Sequence, residues 1–345
     1  MAEFTSVRSL NLALQGGGSH GAFTWGVLDA LLEDGRLAFP GISGTSAGAM
    51  NAAAVLHGFA QAARAHPQDA QARHAQGCAQ ARESLRQLWE GVGTLGLWML
   101  GMPVAAPVMG WMQQVLSPYQ TNPLDINPLR SLLLRVVDFD AIQAAAGTEG
   151  MPEAFVCATH VRTGKGEIFT GARLTVDAIM ASACLPQLYQ AVEIEGERYW
   201  DGGYASNPAL YPLIYRTTCT DILLVQINPI ERVQTPDTAG EIQERMNEIM
   251  FNAGLLSELR AIDFVRRLLA EGRLDATRYK NVLLHRIDGG AALGHLGAAS
   301  KSRADLAFVR HLCELGRRAG QRWLQAHHAD VGVRETLQIV DNPDS

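Results

Sequence analysis

Leu10, Leu12, Ala13 and Leu14 make a short apolar run that stops at Gly16-Gly17-Gly18. Apolar positions then recur at helical spacing through Phe23, Val27, Ala30 and Leu31. A second run, Phe39 to Ile42, meets Gly44-Thr45-Ser46-Ala47-Gly48, and an Ala-rich helix pattern follows. The predicted order is strand, glycine loop, helix, strand, serine turn, helix. Further on, strands are predicted at Ala154 to His160, Glu167 to Phe169, Ile222 to Ile227 and Val282 to Ile287, the third of them central. Val192 to Trp200 reads as strand, turn, strand. Helices are predicted at Asn127 to Ala146, Thr175 to Cys184, Thr238 to Gly272 and Ser302 to His328. Gln61 to Arg86 reads as exposed helix broken near His66-Pro67.

G-x-S-x-G between a strand and a helix is the pattern of a nucleophile elbow. A Ser on that sharp turn holds its hydroxyl clear, and small neighbours let substrate approach. The glycine loop is open to two readings. Gly16, Gly18 and Gly21 satisfy G-x-G-x-x-G, the dinucleotide fingerprint, which also expects an acidic residue at the end of the second strand. That strand runs straight into Gly44 instead, and Glu33 and Asp34 close the intervening helix. The other reading is an oxyanion hole of adjacent glycine N–H groups facing the carbonyl that Ser46 attacks. Far downstream, Val192 to Trp200 delivers Asp201 into Gly202-Gly203, which alone would read as an Asp-Gly turn.

Gly16-Gly17-Gly18-Ser19-His20-Gly21, then Gly44 to Gly48, then Asp201-Gly202-Gly203 resemble, in this order, the patatin-like phospholipase family of the bacterial type. Ala181 to Pro186 resembles a further stretch of that family, and His20 stands where its motif has Lys or Arg. The resemblance covers about Ser9 to Pro229. It implies a three-layer α/β/α domain with a mostly parallel sheet, a Ser46–Asp201 dyad, and an oxyanion hole of Gly16, Gly17 and Gly18. His20, Gly21, Gly44, Gly48, Gly202 and Gly203 would support the motifs. The substrate implied is an acyl lipid: phospholipid, lysophospholipid or glyceride. No cofactor or metal is implied. Residues 1–229 are expected to form the catalytic domain, and 230–345 a mostly helical extension packed on it.

Composition narrows the partners. With 47% hydrophobic and 19% charged residues, the 345-residue chain can bury a core, and a net charge of −6 argues against nucleic acid. Five scattered cysteines without C-x-x-C suit a reducing compartment and no disulfide frame. His66, His74 and Cys78 have no second cluster to complete a metal site, and Cys184 reads as a packing residue. The N-terminus lacks a signal-peptide pattern, so a cytoplasmic location is expected, peripheral at the inner membrane face. Gly91 to Leu124 holds no charged residue. It is long enough for a membrane span, yet Pro103, Pro107 and several glycines interrupt it. The remaining readings are a buried hairpin, or an apolar lid making transient peripheral membrane contact with Trp98, Met99 and Trp111 at its tip.

Three rivals to the hydrolase dyad stay open. Acyl transfer would use the same residues on another acceptor. A Ser46, Asp201, His285 order would fit a Ser-His-Asp α/β-hydrolase, although His285 sits inside an apolar strand pattern. A non-catalytic lipid-binding module would keep the fold without the chemistry.

Overall fold

A computed structural model describes residues 7–100, 117–232, 235–294, 296 and 298–337. Two short strands, β1 (Arg8–Ser9) and β3 (Leu37–Ala38), pair with each other outside the main sheet. The main sheet comprises β2 (Asn11–Leu14), β4 (Gly41–Thr45), β5 (Glu153–His160), β6 (Gly166–Phe169), β7 (Val192–Ile194), β8 (Glu197–Asp201), β9 (Asp221–Gln226) and β10 (Leu283–Asp288). Its order is β10-β9-β2-β4-β5-β8-β7, with β6 on the other edge of β5. The pairings from β10 through β5 are parallel, and those of β6, β7 and β8 are antiparallel.

Alternate residues of the inner strands feed two cores. Leu12, Leu14, Val156, Leu223 and Val225 face one; Ala13, Phe155, Ile222, Leu224 and Leu284 face the other. Strands buried on both sides read as continuous apolar runs, which is why β9 is legible as an inner strand. Over the first face lie α1 (Gly21–Asp34), α2 (Ala47–Ala65), α3 (Ala70–Leu100), α4 (Val176–Ser182) and α6 (Leu306–His327). Over the second lies α5 (Ala239–Ala270), started by a Thr238–Glu241 capping box. The result is a three-layer α/β/α fold with a mostly parallel sheet.

The helix expected at Phe23 to Leu31 has no solvent-facing side to speak of: Trp25, Leu28 and Leu32 are buried along with the predicted apolar positions. The reason is α6, which crosses its outer face so closely that a Cβ at Gly26 would overlap the Cys313 carbonyl, and one at Gly316 the Phe23 carbonyl. Residues beyond 229 also add β10 to the sheet in parallel register with β9. The extension is therefore part of both the sheet and its cover. The break at His66-Pro67 falls between α2 and α3.

Of the apolar stretch 91–124, residues 91–100 continue α3 and Pro118–Thr121 is a short helix. Trp111 and the side chains of Trp98 and Met99 lie outside the described residues. Among the described residues, no helix is long and apolar enough to cross a membrane.

Candidate active site

β2, β4 and β9 run parallel and end at one edge of the sheet, so the residues just beyond them converge there: Gly16 to Gly18, Ser46 and Asn228. This is where open α/β sheets place their ligands. Ser46, between β4 and α2, has φ 54° and ψ −119°, the strained backbone of an elbow. The start of α2 presses on the end of β2; a Cβ at Gly48 would overlap the Leu14 carbonyl oxygen, and Gly44 packs directly on Gly48. The Ser46 N–H donates to Ser182 Oγ at 2.9 Å, and Ser182 Oγ donates to the Cys157 carbonyl at 2.6 Å.

Strand β5 acts as the ruler for the second residue. Cys157 pairs with Thr45 of β4, and the next residue, Ala158, pairs with Asp201 of β8. Because β6 occupies the other edge of β5 at these positions, β8 continues the line of β4. Asp201 is thereby set beside Ser46. Its carboxylate accepts from the Gly203 N–H at 2.8 Å, and its carbonyl accepts from Thr159 Oγ1 at 2.7 Å. Gly202 lies against the Cys157 carbonyl with no room for a side chain. Burial pushes the Asp201 carboxyl up to about 7, against the opposing pull of the Gly203 N–H and the Ser46 side chain.

The glycine loop divides unequally. The Gly16 N–H donates to Asn207 Oδ1 at 2.6 Å, so it is engaged within the protein. Among the described residues the Gly17 and Gly18 N–H groups have no protein acceptor. Both glycines line a cavity of about 540 Å³ together with Ser46 and Asp201. Met50, Trp89, Val92, Leu129, Leu185 and Leu188 give that cavity an apolar wall. Gln243, Glu244 and Asn247 of α5, with Lys301, give it a polar one. This pairing of walls suits an amphiphile.

His20 turns away from the cavity. Its Nε2 meets Ser300 Oγ at 2.7 Å, and burial, reinforced by the Lys301 charge, lowers its pKa to about 4. Gly21 packs on Ala47 and Trp89. His285 is equally remote: it lies on β10, three strands from β4, and pairs with Asp221 at 3.0 Å rather than with Asp201. The Ser-His-Asp order therefore has no geometry behind it. Cys184 donates to the Gln190 carbonyl at 3.0 Å, and burial raises its pKa to about 12, as suits a packing residue. His74 bonds the Gly35 carbonyl at 3.0 Å, and no metal-binding cluster occurs among the described residues.

Sequence reasoning missed Ser182, Asn207, Asn228 and Lys301. The two asparagines left a trace: each precedes a proline, Asn207-Pro208 and Asn228-Pro229, and the second follows directly on a predicted strand. Both amides close on the Gly16 carbonyl, at 3.2 and 2.6 Å.

No curated protein matches the chain. Among solved structures it is similar to VipD from Legionella pneumophila, at 14% identity over 92% of this chain and 67% of that one, with a TM-score of 0.36. A family model, patatin-like phospholipase, matches residues 12–214, which hold the glycine loop, the Ser46 elbow and the Asp201 turn. That match spans more than half of the chain, and with it the chain belongs to the patatin-like phospholipases.

Proposed function

We propose that the chain is a serine acyl-ester hydrolase acting on lipids, of the phospholipase A type, through Ser46 and Asp201. The observation that carries this reading is a desolvated carboxylate set beside a strained serine, in a cavity where glycine N–H groups await an acceptor. Ser46 Oγ attacks the ester carbonyl while Asp201 takes its proton, and the Gly17 and Gly18 N–H groups receive the oxyanion. Asp201 returns the proton to the leaving alcohol. A water molecule, deprotonated by the same carboxylate, then releases the fatty acid and frees Ser46. The acyl chain lies along Met50, Trp89 and Leu188, and the polar end of the lipid meets the α5 side.

An aspartate is ordinarily too acidic to be an effective base near neutrality. Raised to about 7, Asp201 matches the operating range. The test is a panel of phospholipid, lysophospholipid and glyceride esters, with labelling by a serine-directed phosphonate, on wild type and Ser46→Ala. Hydrolysis and labelling should both vanish in the variant. Labelling that persists in Ser46→Ala, or a wild type inert to the whole panel and to the phosphonate, would sink the reading and favour a binding module.

A further inference from the structure

The peptide joining Gly16 to Gly17 is planar and trans, so its C=O and N–H point in opposite directions. The C=O is gripped by Asn228 Nδ2 at 2.6 Å and Asn207 Nδ2 at 3.2 Å. Fixing that carbonyl fixes the Gly17 N–H as well. The amide of Asn228 is itself oriented, because its Oδ1 accepts from Lys301 Nζ at 3.1 Å. Its backbone N–H is tied to Gln15 Oε1 at 2.9 Å. The Lys301 backbone carbonyl rests on Gly18, at a spot where a Cβ would overlap it. The cation is thus anchored on the loop it addresses, and it is the one basic residue among the described residues lining the cavity.

The acidic neighbours of Lys301, Glu244 and Glu248, have other cationic partners as well; Glu244 pairs with Arg232 at 3.1 Å. Glu248, 3.5 Å from Lys301, already pairs with Arg232 at 2.8 Å and Arg245 at 3.3 Å.

We propose that Lys301 is a positioning residue for the oxyanion hole, acting through Asn228 and the Gly16 carbonyl to aim and polarise the Gly17 N–H. Each amide in the chain donates on one side and accepts on the other, so positive charge at one end strengthens the donor at the other. The donor matters most when the substrate oxygen becomes negative, so the effect falls on the transition state rather than on substrate binding. The inference rests on the Ser46–Asp201 reading.

Its test compares Lys301→Met, Lys301→Gln, Lys301→Arg and Asn228→Ala on a soluble ester. Inhibition is measured beside turnover, with a trifluoromethyl ketone that forms an oxyanion adduct on serine and with the matching methyl ketone. Lys301→Met should lower kcat about tenfold, a fraction of the loss from deleting an oxyanion donor outright. Affinity for the trifluoromethyl ketone should fall by the same factor, with KM and methyl-ketone affinity unchanged. Lys301→Arg should restore most of the rate, and Asn228→Ala should lose at least as much as Lys301→Met. Thermal melts report folding; should Lys301→Met melt early, Lys301→Gln, which keeps a donor without the charge, must show the same split. Undiminished kcat in folded Lys301→Met or Lys301→Gln, or a loss confined to KM, would overturn the relay alone. A wild type without Ser46-dependent hydrolysis would overturn the relay together with the dyad.

Discussion

The backbone N–H of Ser46 is held by the side chain of Ser182, 2.9 Å away and contributed by the last residue of α4. Ser182→Ala leaves that N–H and the Cys157 carbonyl without this partner. The expected cost is about 1–3 kcal/mol of stability, the usual penalty for stranding buried polar groups. Phosphonate labelling of Ser46 should slow as the elbow relaxes. Differential scanning calorimetry and labelling rates check both, and an unchanged melt with an unchanged rate would remove Ser182 from the support of the elbow.

On the proposed dyad, Asp201 should make activity and stability run in opposite directions with pH. In the unfolded chain it ionises near 3.8, in the fold near 7, because burial penalises the charge. Between those values the native chain keeps a proton that the unfolded chain has lost. Its contribution to stability is therefore complete below the unfolded value and is lost as pH rises through about 7. Over the same rise the base becomes competent, so kcat/KM should climb with an apparent pKa of about 7. Asp201→Asn should abolish turnover. At pH 8 it should be more stable than wild type by on the order of 4 kcal/mol, the gain fading by about pH 4. A pH–rate profile flat from 5 to 9 would contradict this assignment.

On the proposed dyad, His20 should not be the base. It is neutral across the physiological range and occupied with Ser300. Losing a general base costs roughly two to four orders of magnitude. His20→Gln should lose far less and keep phosphonate labelling, as a progress curve on a soluble ester will show. Loss of labelling with an intact fold would reverse the assignment.

His285 serves the fold. Its ring is fixed between Asp221 and Thr336, each at 3.0 Å, and packs edge-on against Trp323. His285→Ala leaves the buried Asp221 carboxylate short of a partner, and about 3 kcal/mol of stability should go with it. Rate per folded molecule should not change. Equal loss of rate and stability in urea-titrated samples would revive a triad.

The parts of the site that the sequence made legible are those carried by short-range pattern. Gly44 to Gly48 is a turn with a mechanical requirement, and the runs before Gly16 and Ser46 are strands buried on both faces. Asp201 was legible only in company, since an Asp-Gly pair alone describes a hairpin. What stayed hidden is long-range. Asn207 and Asn228 reach the Gly16 carbonyl from positions 191 and 212 residues away, and a single amide has no periodicity to betray it. Ser182 reads as an ordinary helical serine until β5 and β4 are laid side by side. The all-round burial of α1 depends on a helix nearly three hundred residues downstream, so its own pattern showed only the apolar positions of one face.

The order in which these pieces occur along the chain has a consequence for biosynthesis. A polypeptide growing from its N-terminus carries Ser46 early and Asp201 midway. It gains the α5 wall of the cavity and Lys301 only after Thr238. Until then β9 has no β10 beside it, and α1 lacks the cover that α6 provides. A growing chain therefore holds both Ser46 and Asp201 through the stretch from Asp201 to Lys301 before the cavity around them is lined. The cavity that the Ser46–Asp201 proposal requires is therefore complete only when the elements that follow Asp201 in the chain have folded onto it.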